Sequence, residues 1–312
     1  MIDHPLVSVV MPSMNQPEFI DDAITSVLSQ DYPNIELIVA DGGSRQDTLD
    51  ILARRQLQDP RLRYFSRPDR GPAHALNDAM DAVRGTVIGW LNSDDLYAIG
   101  AISRAIAVMA EQPRLLMVYG QGQHVDEYGK SIGVYPTLPP STPVSRFSEG
   151  CFICQPTMFF RRSTRVLLGP LDETLKAAFD FEYWLRAFCA FPDRIGFVDM
   201  VQAVSRLHDG CITMRMRRTV ALEGMQVLAR HLGSAPKEWL LTYANELLTQ
   251  EAQESGVTNI ESHLHEAVNV AAVWMTQKEF SELKAALSNR LNDNSKRYSH
   301  AILPVVQMEA LK

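Results

Sequence analysis

The chain of 312 residues has little cysteine, and four thiols in that length do not make a disulfide scaffold. It lacks a long apolar run. The longest stretch without a charge, Ser131–Ser145, carries four prolines, whereas a membrane-spanning helix needs about 20 apolar residues. Met1–Val10 has no basic leading segment and no long apolar core, so it does not read as a secretory leader. Positive charge is short as well. The 30 Lys and Arg against 37 Asp and Glu give a net charge of −7, which excludes a sequence-independent nucleic-acid binder, since that activity needs a basic footprint. No internal repeat or low-complexity tract is present. A soluble, cytoplasmic protein without a nucleic-acid partner is the expectation.

What is present is a regular alternation. Val7–Met11, Glu36–Ala40, Arg63–Ser66 and Thr86–Leu91 read as short strands rich in Val, Ile and Leu. Between them lie helical patterns. Pro17–Leu28 puts Ile20, Ala23, Ile24, Val27 and Leu28 on one face. Ser44-x-x-Asp47 suggests a capping box before Thr48–Leu57. Pro72–Val83 is followed by Gly85 at a C′ position. Strands alternating with helices of this length imply βαβ units, hence an α/β fold with a mainly parallel sheet flanked by helices. After a Pro-rich loop near residues 136–143, Cys151–Phe160 reads as an apolar strand and Phe179–Phe191 as an aromatic helix. From about Met214 the chain turns almost wholly helical, over Arg215–Leu232, Lys237–Glu254, Glu261–Trp274 and Phe280–Leu291. That change divides the chain into 1–213 and a helical C-terminal region, 214–312.

Ligands of open α/β sheets bind outside the carboxyl ends of the strands. Three polar clusters fall there: Pro12-Ser13-Met14-Asn15, Asp41-Gly42-Gly43-Ser44 and Asn92-Ser93-Asp94-Asp95. One such cluster alone reads as a turn or a cap. Three in register point to a crevice. Adjacent carboxylates at a buried strand end repel unless a cation sits between them, and oxygen ligands suit Mg²⁺ or Mn²⁺ shared with substrate phosphates. The chemistry suggested is a diphosphate held by a divalent metal.

Taken together, the motifs resemble those of the family 2 glycosyltransferases of GT-A (Rossmann-like) fold. The resemblance covers about residues 6–213. It rests on Val7–Asn15 with Phe19-Ile20, Ser26–Gln30, Glu36–Ser44 with Asp47-Thr48, Asp69-Arg70-Gly71 with Ala75-Leu76-Asn77, Leu91–Asp95, Asp180–Arg186 and Arg206-Leu207-His208. It implies an inverting, metal-dependent transfer of a sugar from a nucleoside-diphosphate sugar to an acceptor hydroxyl. The acceptor class implied is a saccharide or lipid-linked saccharide, in bacterial surface-polysaccharide or glycolipid assembly. Pro12, Asn15 and Glu18 would border the nucleoside, and Asp41 would accept from the base imide, which favours UDP. Arg70 would meet the phosphates. Asp94 would be the metal ligand of a DxD-like motif, with Asn92, Ser93 and Asp95 beside the donor. His208 would complete the metal shell, and Asp180 would be the catalytic base. Gln155 and Glu182 would lie on the acceptor side. One departure is Asn92 at the first motif position, which removes a negative charge and implies weaker metal affinity.

Two rivals stand beside this reading. A sugar nucleotidyltransferase is expected to carry a Gly-rich loop with a basic residue after the first strand, where this chain has Pro12–Gln16. A non-catalytic nucleotide-sugar binder or partner subunit is favoured by Asn92 and disfavoured by Asp94, Asp180 and His208. Cys151 and Cys154 lack a second ligand pair and read as buried thiols. Arg215, Arg217 and Arg218 form a solvated face or, with Val220, Leu222, Val227, Leu228 and Leu232, a docking surface for anionic lipid. The second option would add a peripheral place at the inner face of the membrane. In the helical region Trp239, Leu240, Leu247, Leu248, Leu264, Val268 and Ala271 read as stripes for helix packing or homo-oligomer contact.

Overall fold

A computed structural model of the chain describes residues 4–250 and 260–302, with side chains to 248 and 291 respectively. The expected helix Lys237–Glu254 therefore ends outside the described residues. Contacts divide the chain into two units, Met1–Phe147 with Cys151–Met216, and Ser148–Gly150 with Arg217–Lys312.

The first unit opens with β1 (Val7–Ser13), α1 (Ile20–Leu28), β2 (Ile35–Asp41), α2 (Gln46–Gln58), β3 (Leu62–Ser66), α3 (Pro72–Asp81) and β4 (Val87–Trp90). Each strand–helix–strand step returns parallel to its neighbour, giving the order β3-β2-β1-β4. Helices cover both faces, so β2 and β4 are buried along their whole length; β4 is apolar throughout, and β2 is apolar except for the buried Glu36 and Asp41. The α1 stripe holds: Ile20, Ala23, Ile24 and Val27 are all inaccessible and pack with Val7, Val9 and Met11.

Beyond β4 the sheet is mixed. β5 (Leu96–Tyr97), α4 (Ala101–Glu111), β6 (Met117–Val125), β7 (Ser131–Val134), β8 (Phe159–Arg161), α5 (Arg162–Leu168), α6 (Phe179–Ala190), β9 (Ile195–Arg206) and α7 (Ile212–Arg215) complete the unit. β8 runs antiparallel between β4 and β6, and β5 and β7 are also antiparallel to their partners, while β9 is parallel to β6. The mainly parallel sheet read from the βαβ rhythm thus holds for the first four strands in space. β8 enters from the carboxyl end of β4, and that direction of entry makes it antiparallel.

Three local expectations are corrected. Cys151–Phe160 is no strand: it runs irregularly into a 3-10 turn at Gln155–Thr157, and only Phe159–Arg161 pairs. The capping box before α2 does not form. Arg45 is the N-cap residue, and the Ser44 hydroxyl donates to Asp41 instead. Gly85 does not terminate α3, which ends at Ala82. A Cβ on Gly85 would stand 2.4 Å from the Leu6 carbonyl oxygen, so this glycine serves a close crossing of two chains.

The second unit holds α8 (Arg217–Leu232), α9 (Glu238–Gln250), α10 (Ile260–Ala271) and α11 (Gln277–Ile302). Met225, Leu240, Ala244, Leu247, Leu264, Val268, Leu283 and Leu287 form its core. Val227 and Leu228 are inaccessible too, and Arg217 and Arg218 pair with Glu246 and Glu266 at 3.8 and 3.9 Å. Arg217 and Arg218, expected in a docking face, thus have acidic partners within the unit. No helix among the described residues is long and apolar enough to cross a membrane.

Candidate active site

The β1–α1 turn is held open by Asn15, whose φ of 53° is the one positive value at a non-glycine among the described residues. Asn tolerates this left-handed conformation because its side chain bonds locally. Here the side-chain oxygen accepts from Arg45 N–H at 2.9 Å, and the Asn15 N–H donates to the Ser44 hydroxyl at 2.7 Å. Ser44 in turn donates to Asp41. The Asp41 carboxylate, at the end of β2, also accepts from the N–H groups of Gly43 and Ser44 and from the Ser66 hydroxyl at 2.6 Å. Three of these bonds fall on Oδ2 and one, from the Ser44 hydroxyl, on Oδ1, which leaves Oδ1 an acceptor position for the imide contact expected of Asp41. Pro12 lies half-buried in β1 opposite Ala40, and Glu18 is exposed on the same turn.

The β4 end holds the acidic pair. Asp94 Oδ2 lies 3.1 Å from His208 Nε2, which the end of β9 delivers, and 3.1 Å from Gln16 Nε2. The Ser93 hydroxyl donates to Gln16 Oε1. Asp95 is buried and accepts from Arg206 N–H at 2.9 Å and from Asn92 Nδ2 at 3.2 Å. Burial, and then the neighbouring Asp94 charge, push its carboxyl well above the ordinary range.

Asn92 is fully engaged. Its amide accepts from Trp90 Nε1 at 3.0 Å and donates to Asp95 and to Gln155 Oε1, while Gln155 Nε2 donates to the Trp90 carbonyl. An aspartate at 92 would face two acceptor oxygens. The missing negative charge therefore has a local cause.

Phe179 stacks on Trp90 with centroids 5.8 Å apart and planes 13° from parallel. This contact brings the first turn of α6 to the β4 end. Asp180 is in that turn but is not its cap: Ala178 is the N-cap residue. Burial pushes the Asp180 carboxyl up to about 6. The Cys154 thiol senses both carboxylates: burial raises it first, then Asp95, Cys151 and Asp180. Cys151 and Cys154 are free thiols; Cys154 is buried as expected, and Cys151 is only half-buried.

Two expected residues stand apart. Arg70 is exposed and pairs with Glu173 at 2.6 Å, so it must leave that partner to reach a phosphate. Glu182 is buried against Arg186 at 2.6 Å. Two others gain a place that the sequence reading did not assign them. Gln16 is one. Arg206 is the second: it is buried, donates to the Asp94 and Glu127 carbonyls, and lies 4.8 Å over the Phe19 ring, whose centroid is 4.7 Å from that of His208. The signal for Arg206 was its place at the end of β9, two residues before His208.

The donor set fits a divalent ion. Asp94 Oδ2 and His208 Nε2 lie 3.1 Å apart and are oxygen and imidazole donors of the kind that would hold Mn²⁺ or Mg²⁺. Among the described residues no group of three His, Cys, Asp or Glu could hold a metal. The protein would supply two ligands, and phosphate oxygens and water the rest.

Comparison with known proteins places the chain in company. A model of "Glycosyl transferase family 2" matches residues 8–166. An uncharacterised glycosyltransferase of Rickettsia conorii is 27% identical over 219 residues, covering 66% of this chain and 35% of its own length. Chondroitin synthase of Escherichia coli is 29% identical over 182 residues, 58% of this chain and 26% of that protein. The chain thus spans about a third or less of these two relatives. Among solved structures, residues 1–349 of Staphylococcus aureus TarS in complex with UDP-GlcNAc match with a TM-score of 0.64 at 17% identity, over 95% of this chain and 92% of that one. The mannosyltransferase PcManGT from Pyrobaculum calidifontis, in complex with GDP-Man and Mn²⁺, matches with a TM-score of 0.58 at 20% identity, over 94% and 88%. At such identities the likeness shows the fold, which is of GT-A type.

Proposed function

The chain belongs to glycosyl transferase family 2, and from that premise we propose that it moves a sugar from a nucleoside-diphosphate sugar, UDP favoured, to an acceptor hydroxyl with inversion at the anomeric carbon. The acceptor class is a saccharide or lipid-linked saccharide of bacterial surface-polysaccharide or glycolipid assembly, at the cytoplasmic side of the membrane. Support for the donor comes from TarS, solved with UDP-GlcNAc, and for the metal from PcManGT, solved with Mn²⁺.

The roles follow from the chain's own groups. Asp41, with Asn15, Pro12 and Glu18 nearby, borders the nucleoside. Asp94 and His208 hold Mn²⁺ or Mg²⁺, which when bound neutralises charge on the leaving diphosphate. His208 must offer the Nε2 lone pair for this, so it is neutral in that state. Asp180 takes the proton of the attacking hydroxyl. Its carboxyl near 6 lets it be ionised at neutral pH while holding the proton better than an ordinary aspartate, the condition a general base needs. With one base and no separate nucleophile, displacement is direct and inverts the centre. Residues 1–213 carry this chemistry, and the helices of 214–312 serve packing, self-association or docking.

The observation that carries the proposal is the Asp94–His208 approach at the end of β4, with Asp180 brought to the same end by Phe179. The test is calorimetric binding of UDP, GDP, dTDP and CMP, with and without Mn²⁺, for the wild type and Asp94→Ala. Mn²⁺-dependent binding of one diphosphate, abolished in Asp94→Ala, is expected. Absence of binding to all four, with and without metal, would overturn it in favour of an interaction protein.

A further inference from the structure

We infer that Gln16 is a positioning residue of the metal site: its side-chain amide fixes the Asp94 carboxylate so that Oδ2 faces His208. The inference rests on the glycosyltransferase reading above and adds a residue to which the sequence assigned no role.

The geometry is specific. Gln16 uses both ends of its amide on consecutive residues of the β4 end, accepting from the Ser93 hydroxyl at Oε1 and donating to Asp94 Oδ2 from Nε2 at 3.1 Å. The orientation of the amide is dictated by chemistry. A carboxylate accepts only, so it must meet the NH₂ end, and the Ser93 hydroxyl, which can donate, takes the oxygen. Asp94 Oδ2 is thereby held between two nitrogens, Gln16 Nε2 and His208 Nε2, each at 3.1 Å. A carboxylate oxygen has more than one lone pair, so it can keep the glutamine hydrogen bond while binding a cation. Partners of this kind fix a ligand's rotamer before the ion arrives, and their loss typically costs about 10–100-fold in metal affinity.

The backbone explains why this side chain reaches so far. Asn15 in its left-handed conformation turns the chain, and the Gln16 carbonyl accepts from the N–H groups of Phe19 and Ile20, starting α1. The β1–α1 turn is anchored on its other side through Asn15, Ser44 and Asp41. One turn therefore spans from the β2 end to the β4 end, and Gln16 is its contact with the metal ligand.

The experiment measures UDP affinity by calorimetry, in excess Mn²⁺ and in EDTA, for the wild type, Gln16→Met and Ser93→Ala, with a melting curve for each. Gln16→Met keeps the length and loses both hydrogen bonds. Ser93→Ala leaves Gln16 in place and frees its amide to turn. The expected result is a loss of about 10–100-fold in the Mn²⁺-dependent gain for Gln16→Met, with its UDP affinity in EDTA unchanged, and a smaller loss of that gain for Ser93→Ala. Equal losses with and without Mn²⁺ would overturn the inference, because a merely structural turn would weaken both alike. A wild-type gain that survives in Gln16→Met would overturn it alone. Absence of any Mn²⁺ gain in the wild type would overturn the metal reading and this inference with it. Should Gln16→Met fail to fold, an unchanged Mn²⁺ gain in Ser93→Ala overturns the inference and a reduced one upholds it.

Discussion

The two ends of the sheet bury carboxylates in opposite states. At the amino end, Glu36 near the start of β2 is 1% exposed. Burial alone would raise it, yet the Ser8 hydroxyl and the Arg84 backbone and side chain outweigh that and pull it down to about 2. Arg63 adds a further ion pair at 3.1 Å. At the carboxyl end, Asp95 and Asp180 are held without an ion pair to any cation among the described residues, and both are pushed up. Desolvation pushes all three upward, so desolvation does not mark the site. What separates them is compensation: at one end the fold satisfies the charge it buries, and at the other it leaves charge for a ligand to satisfy.

The largest effect expected from breaking this contrast is at Asp180. Asp180→Asn should lower sugar transfer by about 10²–10⁴-fold, while UDP binding by calorimetry stays at the wild-type level. The wild-type transfer rate should fall as pH drops through about 6; a pH–rate profile without that limb would remove Asp180 as the base. At the opposite end, Glu36→Gln should cost about 1–3 kcal/mol of stability, because an NH₂ replaces one carboxylate oxygen and leaves donors of Ser8, Arg63 or Arg84 facing a donor. Urea unfolding measures it, and the rate of the folded enzyme should be unchanged.

The pH dependence of stability sharpens the comparison, since the two ends contribute with opposite sign. Glu36 is depressed, so its contribution is full above its ordinary 4.5 and is lost as pH falls toward about 2. Asp180 is raised, so the fold favours its protonated form; that contribution is full below 3.8 and is lost as pH rises through about 6. Urea midpoints between pH 2 and 8 should show Glu36→Gln flattening the acid side and Asp180→Asn flattening the span from 4 to 6. The smallest effect is at Asn92. Asn92→Asp should cost about 1 kcal/mol and bring no gain in Mn²⁺ affinity, because the new carboxylate would face Asp95 and Gln155 oxygens. A tighter Mn²⁺ site in that variant would show that the missing charge limits the metal rather than keeping the network intact.

The first half of the fold was legible because the β1–β4 segments carry local signals: short strands rich in Val, Ile and Leu and an apolar stripe on α1. The second half was less so. β8 is three residues long and lies in the middle of a sheet, and its direction depends on where the preceding loop enters, which no periodicity records. The site shows the same division. Asp41, Asp94 and Asp95 announced themselves as polar residues directly after apolar strands. Gln16 did not, since a glutamine in a turn is ordinary and its meaning comes from a contact 78 residues away. Ser44 misled for a related reason: instead of accepting a cap bond from the Asp47 N–H, its hydroxyl donates to the Asp41 carboxylate held at the end of β2.

The reach of β9 also sets an order of assembly. The Arg206 N–H meets Asp95 across 111 residues, and His208 meets Asp94 across 114. Contacts so far apart in the chain form late, after the local βαβ units have closed their short loops. During synthesis, which runs from the amino end, β1–β4 emerge with both carboxylates in place while the strand that brings Arg206 and His208 is still unmade. A nascent chain stopped before β9 would therefore hold the acidic pair but neither its arginine nor its histidine. Competence for a metal–nucleotide complex would be acquired in a single late step, when about two-thirds of the chain has been made.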